Sequence, residues 1–165
     1  MALSMVIKIG SIEGESKVGE KGKAKHVGEI DVLSWSWGMT QSASSHVGSG
    51  AGSGTADVRD LTFTKYMDIS SPTLLYECFK GKNQAKAVLT CIKVGGDEPV
   101  EFMKITMGGT VFISSVSTGD VGPNDRMTET VSLNFSSVTV EYTLQDANNL
   151  KGKTNTKEFD IATQH

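Results

Sequence analysis

The chain is poor in the residues that catalysis, metal binding and covalent scaffolding require. It holds only two cysteines, Cys78 and Cys91, too few for a disulfide framework and without the C-x-x-C spacing of a zinc or redox site. Both lie among apolar residues, where a thiol is inert, so two buried free thiols are expected. The histidines are His26 and His46 in polar loops and His165 at the end. None has a second histidine or a carboxylate at ligand spacing, so neither a metal nor a cofactor is expected. Gly48 to Gly54 is glycine-rich, but no Lys-Ser/Thr follows and no helix opens there, which excludes a phosphate loop. The 16 Lys and Arg residues are scattered through a chain of net charge −3, which argues against a nucleic acid partner. No apolar run is long enough to cross a bilayer. The N-terminus, Met1 to Gly10, lacks a basic start and a long apolar core, so cytoplasmic synthesis without a cleaved signal is expected. Carboxylates such as Asp57, Asp60, Asp68, Asp120, Asp125 and Glu129 are read as turn or solvent-facing residues, and no catalytic constellation is expected.

What the sequence does have is alternation. Met5, Ile7 and Ile9 share one face of a first strand, and Leu61 and Phe63 alternate with Thr62 and Thr64. Ala85 to Val94 is nearly continuous apolar sequence, as in a strand covered on both faces. Val100 to Met107 and Thr110 to Ser117 read as successive strands joined by a two-residue hairpin at Gly108-Gly109. The polar stretch Asn148 to Lys157 precedes a short final strand, Glu158 to Ala162. Two long strands change phase. Ile30 and Val32 hold one parity and Leu33, Trp35 and Trp37 the other; Val131, Leu133 and Phe135 give way to Val138, Val140 and Tyr142. Such slips predict bulges near Val32-Leu33 and Ser136-Ser137, and with them a curved sheet.

One helix is predicted, capped by Ser71, with Pro72 at its first position and Gly81 at its end. Leu74 and Cys78, and Leu75 and Phe79, form its apolar stripe, with Phe79 packed into the core. The fold class is therefore an all-β-dominated, bulged antiparallel β-barrel or two-sheet sandwich with one short amphipathic α-helix and an extended loop. At 165 residues a single domain over 1–165 is expected. The loop, Gly38 to Gly54, is far longer than a hairpin needs and almost bare of side chains. Its residues Thr40, Gln41, Ser42, Ser45, His46, Gly50 and Gly54 are the candidate contacts to a neighbouring subunit; a passive linker is the plainer reading.

The ordered set Asp60-Leu-Thr-Phe-Thr-Lys-Tyr-Met-Asp68, Ser71-Pro72, Gly81-Lys82, Glu98 to Met107, Ser114 to Gly119, Leu133-Asn-Phe135 and Val140-Glu-Tyr142 resembles the Hcp family, as does Glu29 to Gly38. Hcp proteins are the tube subunits of bacterial type VI secretion. The resemblance implies a fold akin to phage tail tubes and homo-hexameric rings that stack into a hollow tube. It also implies a contractile sheath around the tube, a spike protein at its tip, effector proteins in the lumen, and export without a cleaved signal. Gly108-Gly109 and the Asp120 to Asn124 turn depart from the family pattern. The alternative class is a monomeric β-sandwich module binding carbohydrate or peptide, with Trp35 and Trp37 as its stacking platform. An enzyme is not expected.

Overall fold

A computed structural model describes residues 2–19, 25–46, 54–94, 99–145 and 151–164. Ten strands and one α-helix are present among them, in the order β1 (Ala2–Ile9), β2 (Ile30–Asp31), β3 (Ser34–Ser36), β4 (Met39–Gln41), β5 (Ala56–Val58), β6 (Leu61–Tyr66), α1 (Ser71–Lys80), β7 (Ala87–Val94), β8 (Val100–Val121), β9 (Met127–Gln145) and β10 (Lys151–Asp160). The main sheet runs β2-β1-β7-β8-β9-β6-β3, and β10 pairs with β9. All pairings are antiparallel.

The segment from Ile30 to Ser36 closes this sheet. Its first half pairs with β1 and its second half with β6, strands at opposite ends of the intervening series. The Val32 amide donates to Met5 O and the next amide, Leu33, to Thr64 O. Consecutive residues can reach both strands only if the sheet curls on itself. The phase change at Val32-Leu33 is thus a change of partner, not an inserted bulge residue: Val32 is buried and Leu33 exposed. Ile7, Ile9, Ile30, Phe63, Leu89, Ile105, Leu133 and Val138 meet in the enclosed core.

The second phase change also marks a bend, but the extra residue sits on the neighbour. Phe135 and Val138 are both buried, three positions apart, so the inward side of β9 changes at Ser136-Ser137 as the sequence predicts. Across the ladder, Gly108 opposes Ser137 and Val111 opposes Phe135, which leaves Gly109 and Thr110 facing Ser136 alone. The hairpin expected at Gly108-Gly109 is therefore this bulge, and Thr110 to Ser117 continues a single 22-residue strand, β8. Gly109 adopts φ +69°, and a Cβ there would fall onto Ser136 Oγ, so glycine is what the bulge requires. β10 is also longer than expected. Lys151 to Lys157 pairs with β9 although it is polar throughout, because both faces of this edge strand meet solvent.

Helix α1 starts one residue earlier than its caps suggest. Ser70 is the N-cap, whereas the Ser71 hydroxyl accepts the Asp68 amide at 3.0 Å. Gly81 ends the helix in the left-handed region, φ 61°. Only half the predicted stripe packs inward. Leu74 is buried and Cys78 half-buried against the core, but Leu75 is exposed and Phe79 is 86% exposed. This ten-residue helix buries only a narrow line of side chains through Leu74 and Cys78, and Leu75 and Phe79 fall outside it. Cys91 is buried and both thiols are free.

Candidate functional site

Two surfaces stand out, and hydroxyl side chains make the first. β3, β6, β9 and β8 lie side by side, and their residues pair in two continuous rows: Ser36–Thr62–Ser132–Ser115 and Ser34–Thr64–Thr130–Ser117. Every position in both rows is Ser or Thr. Leu61, Phe63, Val131 and Leu133 alternate with them and fill the core, so period two turns each hydroxyl to the opposite face. Neighbouring hydroxyls bond across the rows, Ser34 Oγ to Thr64 Oγ1 at 2.6 Å and Thr62 Oγ1 to Ser132 Oγ at 2.9 Å. At one margin Asp60 accepts Ser114 Oγ at 2.6 Å and Asn134 Nδ2 at 2.8 Å. The grid itself carries no charge and no large apolar group. The signal for it was present as serines between the tryptophans and threonines between Leu61 and Phe63; what periodicity did not disclose was the register that joins them.

The second surface is the predicted loop. Its two ends form a hairpin in which Met39, Thr40 and Gln41 pair with Val58, Asp57 and Ala56. The backbone groups of Thr40 and Gln41 thus have partners within their own hairpin. Ser42 Oγ accepts the Thr55 amide at 3.1 Å, and Gln41 Oε1 accepts the Ala43 amide. A Cβ on Gly54 would collide with Ala43 N. Ser45 and His46 lie in an exposed turn, and Gly50 lies outside the described residues. Gln164 braces the hairpin from the C-terminal side, its Oε1 accepting the Ala56 amide at 3.0 Å. The candidate contacts that the structure describes are exposed or half-exposed, with no catalytic partner among them.

The tryptophans do not form a platform. Trp37 stacks on Phe159 at 6.2 Å with a 10° interplanar angle and tilts against Phe135 at 5.8 Å, and its indole N–H donates to Arg59 O. Trp35 packs on the core.

Two charged clusters escaped the sequence reading. Glu129, expected at the surface, is 1% exposed, and Lys65 is fully buried. Lys65 Nζ lies 2.7 Å from Glu129 Oε2, and Asp68 and Ser71 complete its surroundings. His26, read as lacking a carboxylate, has two: Nδ1 meets Glu29 Oε2 at 2.6 Å and Nε2 meets Glu101 Oε1 at 2.7 Å. Burial pushes the Glu101 carboxyl up, but the His26 hydrogen bond and charge, with Lys25 and Lys104, outweigh it and leave it below the usual range. Burial raises the Cys91 thiol, with a smaller downward pull from Trp35, which keeps it protonated and unreactive.

The class of protein is thus a curled antiparallel β-sheet with one short helix and a separate two-stranded hairpin, one sheet face carrying a neutral hydroxyl grid. The family model for "Type VI secretion system effector, Hcp" matches residues 6–142. Protein hcp1 of Pseudomonas aeruginosa is 50% identical over 151 residues, 92% of this chain and 90% of that protein. Among solved structures, one described as a type six secretion system protein superposes with a TM-score of 0.85 at 28% identity, covering 99% of each chain. Hcp1 from Salmonella typhimurium gives 0.77 at 34% identity, covering 99% of this chain and 98% of that one. The chain belongs to the Hcp family of type VI secretion proteins.

Proposed function

We propose that this chain is the inner-tube subunit of a type VI secretion system. Six copies close head-to-tail into a ring, since a heterologous interface whose rotation closes gives rings instead of filaments. Rings stack into a hollow tube within a contractile sheath, a spike protein caps the tip, and effector proteins ride in the lumen. The hairpin reaches a neighbouring subunit through Thr40, Gln41, Ser42, Ser45, His46, Gly50 and Gly54. The observation that carries this reading is the hydroxyl grid. A lumen wall must stay wet and release what it carries. A dense array of neutral hydroxyls does this, because it offers cargo neither the apolar area nor the charge that would hold it.

Accessibility tests the orientation. A cysteine at Ser36, in a background where Cys78 and Cys91 are serine, should react with a small maleimide in both assembled and dissociated protein. A maleimide carried on a bulky polymer should label only the dissociated subunit. Equal polymer labelling of assembled protein would place the grid outside and contradict the lumen assignment.

A further inference from the structure

On a different part of the sheet, Lys8, Lys25, Lys86 and Lys104 line one open cavity of about 420 Å³. Lys8 alternates with buried Ile7 and Ile9, and Lys104 precedes buried Ile105, so these side chains stand on the face turned away from the core. No ion pair joins any of the four to a carboxylate among the described residues. Two carboxylates do line the same cavity, Glu29 and Glu101, but both are turned onto the His26 imidazole at 2.6 and 2.7 Å. Glu141 faces Lys104 across the β8–β9 ladder without closing a pair. Thr90 and Thr106 add hydroxyls. Four lysines thus line a cavity whose two carboxylates are hydrogen-bonded to His26, in a molecule whose net charge is −3.

We propose that this cavity docks an acidic segment of a partner protein. Spacing favours a chain over a single small anion. Lys8 opposes Val88, so Lys86 is its diagonal neighbour, at about 7–8 Å, and Lys104 lies on the next strand beyond. Lys104 opposes Thr90, four residues along from Lys86 and so roughly 13 Å away along the strand; the lysines spread beyond the reach of one small anion but within that of an extended acidic segment. His26 engages both of the cavity's carboxylates; Lys25 and Lys104 still act on Glu101 through their charge, whereas Lys8 and Lys86 are not among the charges that act on it. The inference does not depend on the tube reading, and its test uses the purified full chain in the assembly state it adopts.

The probe is a fluorescein-labelled hexaglutamate peptide, followed by anisotropy at low salt. Lys8→Glu with Lys86→Glu should weaken binding by at least about tenfold. Lys151→Glu with Lys153→Glu, the same charge change on exposed β10, should leave it within about twofold. Thermal melts establish that each variant is folded, and Lys25→Gln with Lys86→Gln serves if the reversed charges are not tolerated. Absence of binding to the unmodified chain, or equal loss in both double variants, would overturn the proposal. Displacement of the peptide by equimolar inorganic phosphate would also overturn it, by reducing the cavity to a small-anion site.

Discussion

Glu129 anchors the helix to the sheet through three bonds. Its Oε2 accepts from Lys65 Nζ at 2.7 Å and Ser71 Oγ at 2.8 Å, and its Oε1 accepts from Thr118 Oγ1 at 2.8 Å. Glu129→Ala leaves buried Lys65 with Asp68 as its one remaining carboxylate and removes the acceptor of Ser71 and Thr118, so it should cost about 3 kcal/mol in urea unfolding. Lys65→Met combined with Glu129→Leu should cost less, because the two fully buried charges leave together and only Asp68, still hydrogen-bonded to the Ser70 amide, loses its ion pair. Phe79→Ala should change stability by less than about 0.5 kcal/mol, because the ring is exposed, while Leu74→Ala should cost about 2–5 kcal/mol. Glu101 sets an acid limit. Its carboxyl lies below its ordinary value in the folded chain, so its contribution is present above the usual carboxylate range and is lost as pH falls through the folded value. Glu101→Gln should flatten that part of the stability–pH profile; an unchanged profile would mean that the His26 contact contributes nothing. Parity itself placed Lys65 inward with Leu61 and Phe63, and Glu129 inward with Val131 and Leu133. It was their charge that made the surface the natural reading, since a buried ion pair becomes visible only when both partners are placed.

Long strands here do the work that separate elements do in flatter sheets. β9 pairs with β6 along its first half and with β10 along its second, while β8 follows it along most of its length. Phase shifts in the sequence located both changes of direction, at Val32-Leu33 and Ser136-Ser137, because burial alternation is a local property. Their causes were not legible, since a partner switch and a bulge on the opposing strand leave the same trace. Gly108-Gly109 misled for the same reason: two glycines between alternating segments signal a turn unless the segments share one partner strand. Gly109→Val forces a side chain into φ +69° and against the Ser136 hydroxyl that accepts the Thr110 amide. It should cost roughly 1–3 kcal/mol in thermal unfolding. The hairpin is the separable element. Deleting Ser42 to Ser53 leaves Gly54-Thr55 as a two-residue loop between paired Gln41 and Ala56. The subunit should then melt nearly as before while secretion falls. Secretion at the original level would make the segment a passive linker.

At the scale of the whole molecule, the curled sheet turns the hydroxyl grid outward on one part of its surface and the lysine-lined cavity outward on another. The ordered motifs pointed to the Hcp family, and the family match and superpositions agree with them. The hydroxyl grid depended on four strands being in register, which no single stretch of sequence carries. Its neutrality has a use only if copies of the chain surround a space, so the account stands on assembly. Native mass spectrometry of the purified chain at micromolar concentration tests this most directly. The account predicts a dominant species of six times the mass of the 17.6 kDa chain, with higher multiples of six as rings stack, and a population of monomer alone would contradict it.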